Sequence, residues 1–376
     1  MRPVLLIAAV LCLLPNTVRA LTAEELLRAG TTYAESGAAS KAIPVLQRVL
    51  KLKGVPPEQQ ARAHLGLGIS YAQLDKSDLT IQHLDQALAL DPKLAKAYLV
   101  LGMSYDLAEQ PAKALEVYRR GIAAVPGDGP LLHELGLTEL MVGEVESAVT
   151  HLKAARRTRP EDADLMGDLG YAQLRAGLYN DAVTSLTDAL AYGSGNPDLF
   201  THLGDAYAGN GLPKKALDSY DRALDLDPAK VRARFHKGLL LAKKDDLTGA
   251  IACYRDVLRR APDHQRARLA LAASLRRVGG RSVEESERIL RASVTEDPSF
   301  ADGYVELARI AVGKKDLGQA RSLLEQALER RADHAGARSL LREVLTAQGD
   351  QAALQQLDAP ATPAPAPRKG PRSRGR

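Results

Sequence analysis

Three side chains near the middle of the chain have types and a spacing that could bind a metal ion. His202 and Asp205 stand three positions apart, which places them on one face of a helix, and His236 follows 34 residues after His202. Imidazole nitrogens and carboxylate oxygens are ligands of Zn²⁺. The sequence has no paired-Cys motif, no His-Glu-x-x-His motif and no glycine-rich phosphate loop. Solvated histidines are therefore the favoured interpretation, and we predict no enzyme activity, catalytic residue, metal or other cofactor.

The framework that must position these side chains is visible as a repeat. Glycine recurs every 34 residues, and Ala272 takes the same place one step later. Alanine recurs downstream of each glycine, a Leu or Tyr follows four residues after the alanine, and a turn proline ends most units. The glycines are Gly68, Gly102, Gly136, Gly170, Gly204 and Gly238, the large residues include Leu84, Tyr118, Leu152, Leu186, Tyr220 and Tyr254, and the prolines are Pro92, Pro126, Pro160, Pro228, Pro262 and Pro298.

Each unit reads as two short amphipathic helices. Tyr98, Leu101 and Tyr105 form an apolar stripe at steps of three and four, as a period of 3.6 residues requires. Gly102 lets the two helices approach closely, and Pro126 ends the second helix because it lacks an N–H donor. One hairpin cannot bury its own stripe, so neighbouring hairpins stack. The pattern predicts an all-α solenoid.

This pattern resembles the tetratricopeptide repeat (TPR) family over nearly the whole chain. The resemblance implies one elongated domain over residues 21–358, a right-handed superhelical solenoid of about nine helix-turn-helix repeats that binds protein partners. The C-terminal cap is expected at residues 335–357 as a helix or helix pair. The repeats are placed at 23–56, 61–94, 95–128, 129–162, 163–196, 197–230, 231–264, 265–300 and 301–334.

Residues 1–20 do not follow the repeat and read as a secretory signal peptide. Arg2 precedes an apolar run from Val4 to Leu14, and a small residue, Ala20, stands at the expected cleavage site. The run is shorter than the roughly 20 residues that span a bilayer, so a retained anchor is less favoured, as is lipid attachment at Cys12. We expect a bacterial exported protein, periplasmic or associated with the cell surface. After cleavage Cys253 is the one remaining cysteine, which excludes an intrachain disulfide.

Residues 359–376 form a Pro/Ala-rich tail that ends in five cations, and its composition predicts disorder. This tail and two arginines in the signal segment account for more than the whole net charge of +5, leaving −2 for residues 21–358. The repeat array is therefore not basic, and it lacks aromatic platforms interleaved with basic residues. Nucleic acid is excluded as the expected partner.

The resemblance also suggests where a protein partner would bind. In this family the first helix of each repeat lines a concave groove, and the matching positions here are largely apolar. Both a binding groove and burial against the next repeat fit that pattern. The Lys and Asn with which some relatives hold the carboxylates of chaperone tails are absent from these positions. The proposed groove consists of Leu65, Ile69, Leu99, Met103, Leu137, Met141 and Tyr171.

A second candidate surface lies between residues 230 and 281, where fourteen Lys and Arg face four Asp. Such a stretch attracts anions unless it is an ordinary solvated surface. Two hypotheses follow. The first is a scaffold that helps to assemble an envelope, secretion or motility complex. The second is a peripheral binder of an anionic envelope polymer or lipid through this stretch and the Arg-rich tail. The predicted basic patch consists of Arg232, His236, Lys243, Arg266, Arg276 and Arg277.

Export can be tested with a reporter. We expect residues 1–30, fused to a β-lactamase without its own signal, to confer ampicillin resistance on a bacterial host, with cleavage after Ala20 seen by mass spectrometry. Charges in the apolar run, Leu11→Asp with Leu13→Asp, should abolish resistance. A fusion that stays in the cytoplasm, or resistance that survives the charged variant, would contradict the prediction.

Overall fold

The computed structural model describes residues 21–193 and 195–358, which fold into helices joined by short turns, with no strand in these ranges. The all-α prediction is confirmed. The predicted signal peptide at 1–20 and the predicted tail at 359–376 lie outside the described residues. None of the helices found in the described ranges has the length and apolar character needed to span a membrane.

The helices form successive antiparallel pairs, and odd numbers denote the first helix of each pair. Ten pairs occupy the described residues, nine in the predicted repeats and one in the predicted cap. Their bounds are α1 Ala23–Glu35, α2 Ala39–Lys51, α3 Pro57–Ala72, α4 Ser77–Leu90, α5 Ala95–Leu107, α6 Pro111–Ala124, α7 Gly129–Val142, α8 Val145–Thr158, α9 Ala163–Arg175, α10 Tyr179–Ala191, α11 Pro197–Gly209, α12 Pro213–Leu226, α13 Val231–Lys243, α14 Leu247–Arg260, α15 Gln265–Val278, α16 Ser282–Glu296, α17 Ala301–Gly313, α18 Leu317–Arg330, α19 Ala335–Gln348 and α20 Gln351–Asp358.

The chain divides into two compact units between Gly195 and Asn196. Unit one contains α1 to α10, and unit two contains α11 to α20. Inside each unit a helix contacts its hairpin partner, the next helix along the chain and, for first helices, the first helix of the adjacent hairpin. This nearest-neighbour arrangement confirms the solenoid of helical repeats, and the single-domain expectation stays a prediction.

The recurring glycines face the recurring large residues across each hairpin. A Cβ atom added to Gly102 would lie 2.2 Å from Tyr118 Cε1, and one added to Gly204 would lie 2.5 Å from Tyr220 Cε1. Leucine plays the same part at Gly136, where the nearest atom is Leu152 Cγ at 2.7 Å. Tyr118, Tyr220 and Leu152 are buried. The recurring glycines and the recurring large residues are therefore the two partners in one contact between the helices of a hairpin.

The turn inside each hairpin requires left-handed backbone at a fixed place. Gly143 has φ 89° and Gly177 has φ 73° at this place. Asp75, Glu109 and Asp245 occupy equivalent places with φ of 55°, 56° and 66°. This conformation disfavours most residues other than glycine. The turn is thus specified by the hydrogen bonds at the helix end, as in Gly143, whose N–H bonds Leu140 O at 3.3 Å.

The contact between glycine and tyrosine can be tested in Gly102→Ala. Because the added methyl group would overlap the Tyr118 ring, we expect a loss of about 1–3 kcal/mol in the free energy of unfolding. The measurement is urea unfolding followed by circular dichroism.

Gly313→Ala is the matched control, since Gly313 is also helical but has no atom within 4 Å of the added Cβ. There the higher helix propensity of alanine should be neutral or stabilise by up to about 1 kcal/mol. Equal losses in the two variants would show that steric overlap at Gly102 is not the cause.

Candidate functional site

The first helices of unit one bring the predicted groove residues together. Helices α3, α5, α7 and α9 contact one another in that order, so equivalent positions on them lie side by side. None of the predicted groove residues is fully buried. The predicted positions Leu65, Ile69, Leu99, Leu137 and Tyr171 are half-buried.

At the start of this surface Leu65 and Ile69 line a shared cavity of about 290 Å³. Its rim carries an ion pair in which Lys96 Nζ lies 2.7 Å from Glu35 Oε1. Leu65 and Leu99 pack against the same core cluster, which includes Leu101. Each of these leucines packs against the core on one side and is accessible on the other.

Of the described residues, the two most exposed large apolar side chains are Leu107 and Met141, at the ends of α5 and α7. The exposed fractions are 87% for Leu107, 70% for Met141 and 42% for Met103. Thr138 Oγ1, one turn before Met141, donates to Asp106 Oδ2 at 2.9 Å. Since Asp106 adjoins Leu107, this bond places the two helix ends next to each other. We call Met103, Leu107 and Met141 the apolar patch.

Asp106 is the polar centre beside the apolar patch. Its Oδ2 also accepts from the Tyr118 hydroxyl at 3.1 Å. Its Oδ1 is buried and has no hydrogen-bond partner among the described residues. Burial raises the pKa of Asp106, although the hydrogen bonds from Thr138 and Tyr118 oppose the rise. An acceptor atom beside the apolar patch is therefore buried and unpaired among the described residues.

Further acidic groups follow on α7 and α9. Burial raises the pKa of Glu134, and the charges of Asp106 and Asp168 add to the rise while His133 opposes it. Asp168 Oδ2 accepts from His133 Nε2 at 2.8 Å, and Arg159 donates to His133 Nδ1 at 3.1 Å. Because arginine can only donate, His133 accepts at Nδ1 and carries its proton on Nε2.

The far end of the predicted groove is less available. Tyr171 is half-buried, and its hydroxyl accepts from Arg175 at 3.2 Å. The Arg175 guanidinium also lies over the Tyr171 ring, 5.8 Å from its centroid. Tyr171 is thus engaged by its own helix, in contrast to Met103 and Met141.

In unit two the predicted residues Asp205 and His236 belong to a hydrogen-bonded cluster around Asp205. Its Oδ1 contacts His236 Nδ1 at 2.5 Å and accepts from the Tyr220 hydroxyl at 2.7 Å, while Oδ2 lies 3.2 Å from Arg232. Burial acts to raise the pKa of Asp205, but His236, Tyr220 and Arg232 outweigh it and the pKa lies below its usual value. Burial, together with Arg232, lowers the pKa of His202 to about 4.

Beside this cluster is a cavity of about 340 Å³. Lys243 and Arg266 contribute its cations, and Ala208, Leu239 and Leu240 contribute its apolar wall. Asp205, Tyr220 and His236 complete the lining. We call this space the unit-two cavity.

Most cations of the basic stretch are paired with carboxylates. Ten of the fourteen Lys and Arg lie within 4.0 Å of a carboxylate oxygen. The pairs include Arg276 with Glu306 at 3.2 Å and Arg277 with Asp245 at 2.7 Å. The four cations of this stretch without such a partner among the described residues are Lys243, Lys244, Arg266 and Arg281. The anion-binding patch stays a prediction, with fewer free charges than the sequence suggests.

Sequence reasoning missed the polar residues beside the apolar patch, Asp106 and Glu134. One signal could have found Asp106. Leucine fills the slot of Tyr118 in other repeats, so a tyrosine there brings a hydroxyl that needs an acceptor when buried. The Tyr118 hydroxyl donates a hydrogen bond to Asp106, and the Tyr220 hydroxyl donates one to Asp205.

Among the described residues, no group of three or more His, Cys, Asp or Glu side chains is placed to bind a metal ion. A histidine pair in unit one forms a hydrogen bond instead. His64 Nδ1 and His83 Nδ1 lie 2.9 Å apart, and the His83 ring stacks on Tyr71 with centroids 5.4 Å apart. Burial, followed by the neighbouring His83, lowers the pKa of His64 to about 4, and burial lowers the pKa of His83. Both rings are therefore neutral near pH 7.

Comparison with known families matches tetratricopeptide repeat profiles to residues 27–93, 76–129, 133–197, 201–263, 235–299 and 301–334. The chain belongs to the tetratricopeptide repeat family. Proteins of this family are generally non-enzymatic scaffolds that bind other proteins. No curated protein sequence matches the chain.

Solved structures with a TM-score of 0.50 or more share the fold. The Cut9–Hcn1 hetero-tetramer of the APC/C is 16% identical, with a TM-score of 0.52, and the match covers 86% of this chain and 67% of that one. The C-terminal part of a TPR protein from Cytophaga hutchinsonii is 16% identical, with a TM-score of 0.50, and the match covers 65% of this chain and 99% of that one. MamA from Desulfovibrio magneticus RS-1 is 23% identical, with a TM-score of 0.42, and the match covers 46% of this chain and 97% of that one.

The histidine pair predicts acid sensitivity. Both folded-state pKa values lie below the unfolded value of 6.5, so the unfolded chain binds more protons between pH 6.5 and about pH 4. Stability should therefore fall as pH falls through this window and be constant above it. We expect the native chain to lose roughly 1 kcal/mol more than His64→Gln/His83→Gln between pH 7 and pH 4.5, a value reduced for solvent screening of half-exposed rings.

Urea unfolding at the two pH values measures the difference. His202 is present in both proteins, so its own titration cancels in the comparison. An identical loss in native and variant chains would show that the His64–His83 contact does not carry the acid sensitivity.

Proposed function

We propose that this protein holds a segment of another protein on the first-helix surface of unit one and thereby scaffolds an assembly in the bacterial cell envelope. The observation that carries the proposal is the apolar patch, in which Leu107, Met141 and Met103 are 87%, 70% and 42% exposed. Large contiguous apolar surface on a soluble protein marks an interaction site.

The composition of the patch suits a protein segment. Methionine is flexible and polarisable, so Met103 and Met141 can adapt to side chains of different shapes. The half-buried Leu137 adjoins them, and the cavity at Leu65 and Ile69 offers space for one more apolar side chain. Burial of a large aliphatic side chain contributes about 1.5–3 kcal/mol, so two or three such contacts support a specific complex.

The charges around the patch define the partner further. Asp106 has an unpaired oxygen, and the pKa of Asp106 and of Glu134 is raised by burial. A cationic side chain of the partner placed beside Asp106 and Glu134 would stabilise their ionised carboxylates. The partner segment therefore combines apolar side chains with a Lys or Arg.

Location in the envelope rests on residues 1–20, whose charge and apolar run follow the pattern of a secretory signal. An exported scaffold without catalytic groups acts on proteins that share its compartment. Assembly of a secretion, motility or outer-membrane complex is the role we propose.

The anionic-polymer hypothesis has weaker support. Ten of the fourteen cations in the 230–281 stretch already have carboxylate partners, so a long polyanion would have to compete with ion pairs. Binding of that kind should be lost in high salt, whereas an apolar contact should not.

The test is a crosslinking pull-down from the envelope fraction with the native chain and with Met103→Glu/Met141→Glu. Both methionines are exposed, so the variant should fold normally, as circular dichroism and thermal unfolding would verify. We expect the main crosslinked protein to fall at least tenfold, since two charges would be buried in an apolar contact.

Leu90→Glu is the control, because Leu90 is 37% exposed at the end of a second helix, away from the first-helix surface. It should leave the crosslinked protein unchanged. The proposal fails if both variants lose the partner equally or if neither does.

A further inference from the structure

Two histidine rings of unit one meet between the two helices of one hairpin. His64 lies on α3 and His83 lies on α4, and their Nδ1 atoms are 2.9 Å apart. The ring centroids are 5.1 Å apart, with an angle of 33° between the ring planes. Neither ring is fully buried, so water and small ions can reach the contact. The pair joins a first helix to a second helix and is separate from the apolar patch, which lies on first helices alone.

The contacts of this pair differ from those of the other histidines. Three histidines contact carboxylate oxygens, namely His133, His151 and His236. Two others accept a backbone N–H at Nδ1 and so cap helix N-termini, namely His264 and His334. In the ranges that the structure describes, no ion pair joins His64 or His83 to a carboxylate. These two rings instead place nitrogen against nitrogen.

Stacking fixes the position of the His83 ring. It lies on the Tyr71 ring with centroids 5.4 Å apart and an angle of 10° between the planes. Tyr71 is buried, and its hydroxyl accepts from Gln47 Nε2 of α2 at 3.3 Å. Three successive helices therefore hold the pair in place. Neighbours that orient a ligating side chain in this way strengthen metal binding.

The two rings can present both Nδ1 lone pairs without losing a proton. Both are neutral near pH 7, because burial lowers their pKa values. A neutral imidazole has one N–H and one lone pair, and the proton can reside on either nitrogen. When both rings carry it on Nε2, both Nδ1 atoms are free to coordinate an ion. Neutral imidazole is the form of histidine that binds transition metals.

The separation of the two nitrogens favours one class of ion. With metal–nitrogen bonds of about 2.0–2.1 Å, nitrogens 2.9 Å apart subtend an angle of about 90° at the ion. Neighbouring ligands of tetragonal Cu²⁺ and Ni²⁺ sites make this angle, whereas Zn²⁺ favours the wider tetrahedral angle. Among these ions Cu²⁺ binds nitrogen ligands most tightly. The torsion that turns a histidine ring is soft, so both lone pairs can be aimed at one ion.

We propose that His64 and His83 bind one Cu²⁺ ion through their Nδ1 atoms, with water completing its coordination. The ion joins α3 to α4 and thereby stabilises this hairpin. The site requires no residue of the apolar patch and does not rest on the proposed function. Motif spacing does not reveal it, because 19 residues separate the two histidines and the hairpin fold brings them together.

Copper binding can be measured on the full chain after treatment with a chelator. Every protein in the experiment carries Cys253→Ser, since a thiolate is itself a copper ligand. Serine occupies the equivalent place in other repeats, at Ser185 and Ser219. We expect one equivalent of Cu²⁺ to bind in calorimetry and to raise the midpoint of thermal unfolding. Its electron paramagnetic resonance spectrum should show coupling to two imidazole nitrogens.

Variants locate the site. His64→Gln/His83→Gln should weaken Cu²⁺ binding at least tenfold and abolish the rise in the unfolding midpoint. His202→Gln/His236→Gln is the matched control, because it removes two imidazoles from the region of the Asp205 cluster, and it should leave both results unchanged. Ni²⁺ and Zn²⁺ should each bind the native pair at least tenfold more weakly than Cu²⁺. Circular dichroism without metal verifies that each variant is folded.

Four results would overturn the proposal. They are Cu²⁺ binding no tighter in the native pair than in His64→Gln/His83→Gln, an equal loss of affinity in the two double variants, coupling to fewer than two imidazole nitrogens, and tighter binding of Zn²⁺ than of Cu²⁺. The first three would show that the pair is not the copper site, and the fourth would contradict the right-angled geometry.

Discussion

The close contact between a glycine on most first helices and a large side chain on the paired second helix is the constraint on which the fold depends. At Gly102 and Gly204 the Tyr118 and Tyr220 rings occupy the space that any Cβ would need. This contact sets the separation of the two helices in a hairpin. The same separation, repeated within each unit, lets the first helices of that unit lie beside one another and form a surface. The candidate sites are built on that surface.

The choice between leucine and tyrosine in this contact links packing to the polar groups. Leu152 fills the contact in its hairpin with an apolar side chain. Tyr118 and Tyr220 instead place hydroxyl groups beside the first helix. There the hydroxyls donate hydrogen bonds to Asp106 and Asp205, respectively. Burial and the adjacent carboxylate raise the pKa of both tyrosines, so they remain donors. In unit two Asp205 is saturated by its neighbours, but in unit one Asp106 keeps an unpaired oxygen. The two units therefore present different chemistry from the same framework.

The repeat made the fold predictable, because glycine, alanine and proline at fixed intervals indicate the same close approach of two helices in successive hairpins. The same logic located Met103 and Met141 on the first-helix surface. It did not reveal how the charges pair. Counting acids between residues 230 and 281 suggested a free basic surface, yet Arg232, Arg276 and Lys230 find Asp205, Glu306 and Asp198 on neighbouring repeats. Such partners lie about 30 residues away in sequence, so a local window cannot count them. Asp106 was missed for a related reason, since its role depends on Tyr118 and Thr138 in two other helices.

The restriction of contacts to neighbouring helices has a kinetic consequence. Helices that pack together are first or second neighbours along the chain, and longer side-chain contacts such as the Lys96–Glu35 ion pair are exceptions. The contact order of this long chain is therefore that of a small helical protein. Folding does not require contacts between distant segments, so it can begin in any hairpin and propagate to the next. A chain that emerges from a ribosome or a translocation channel with its N-terminal part first can form α1 to α4 while later hairpins are still unavailable. Each new hairpin then adds to a template that is already in place, which limits the time for which its apolar stripe is exposed to aggregation.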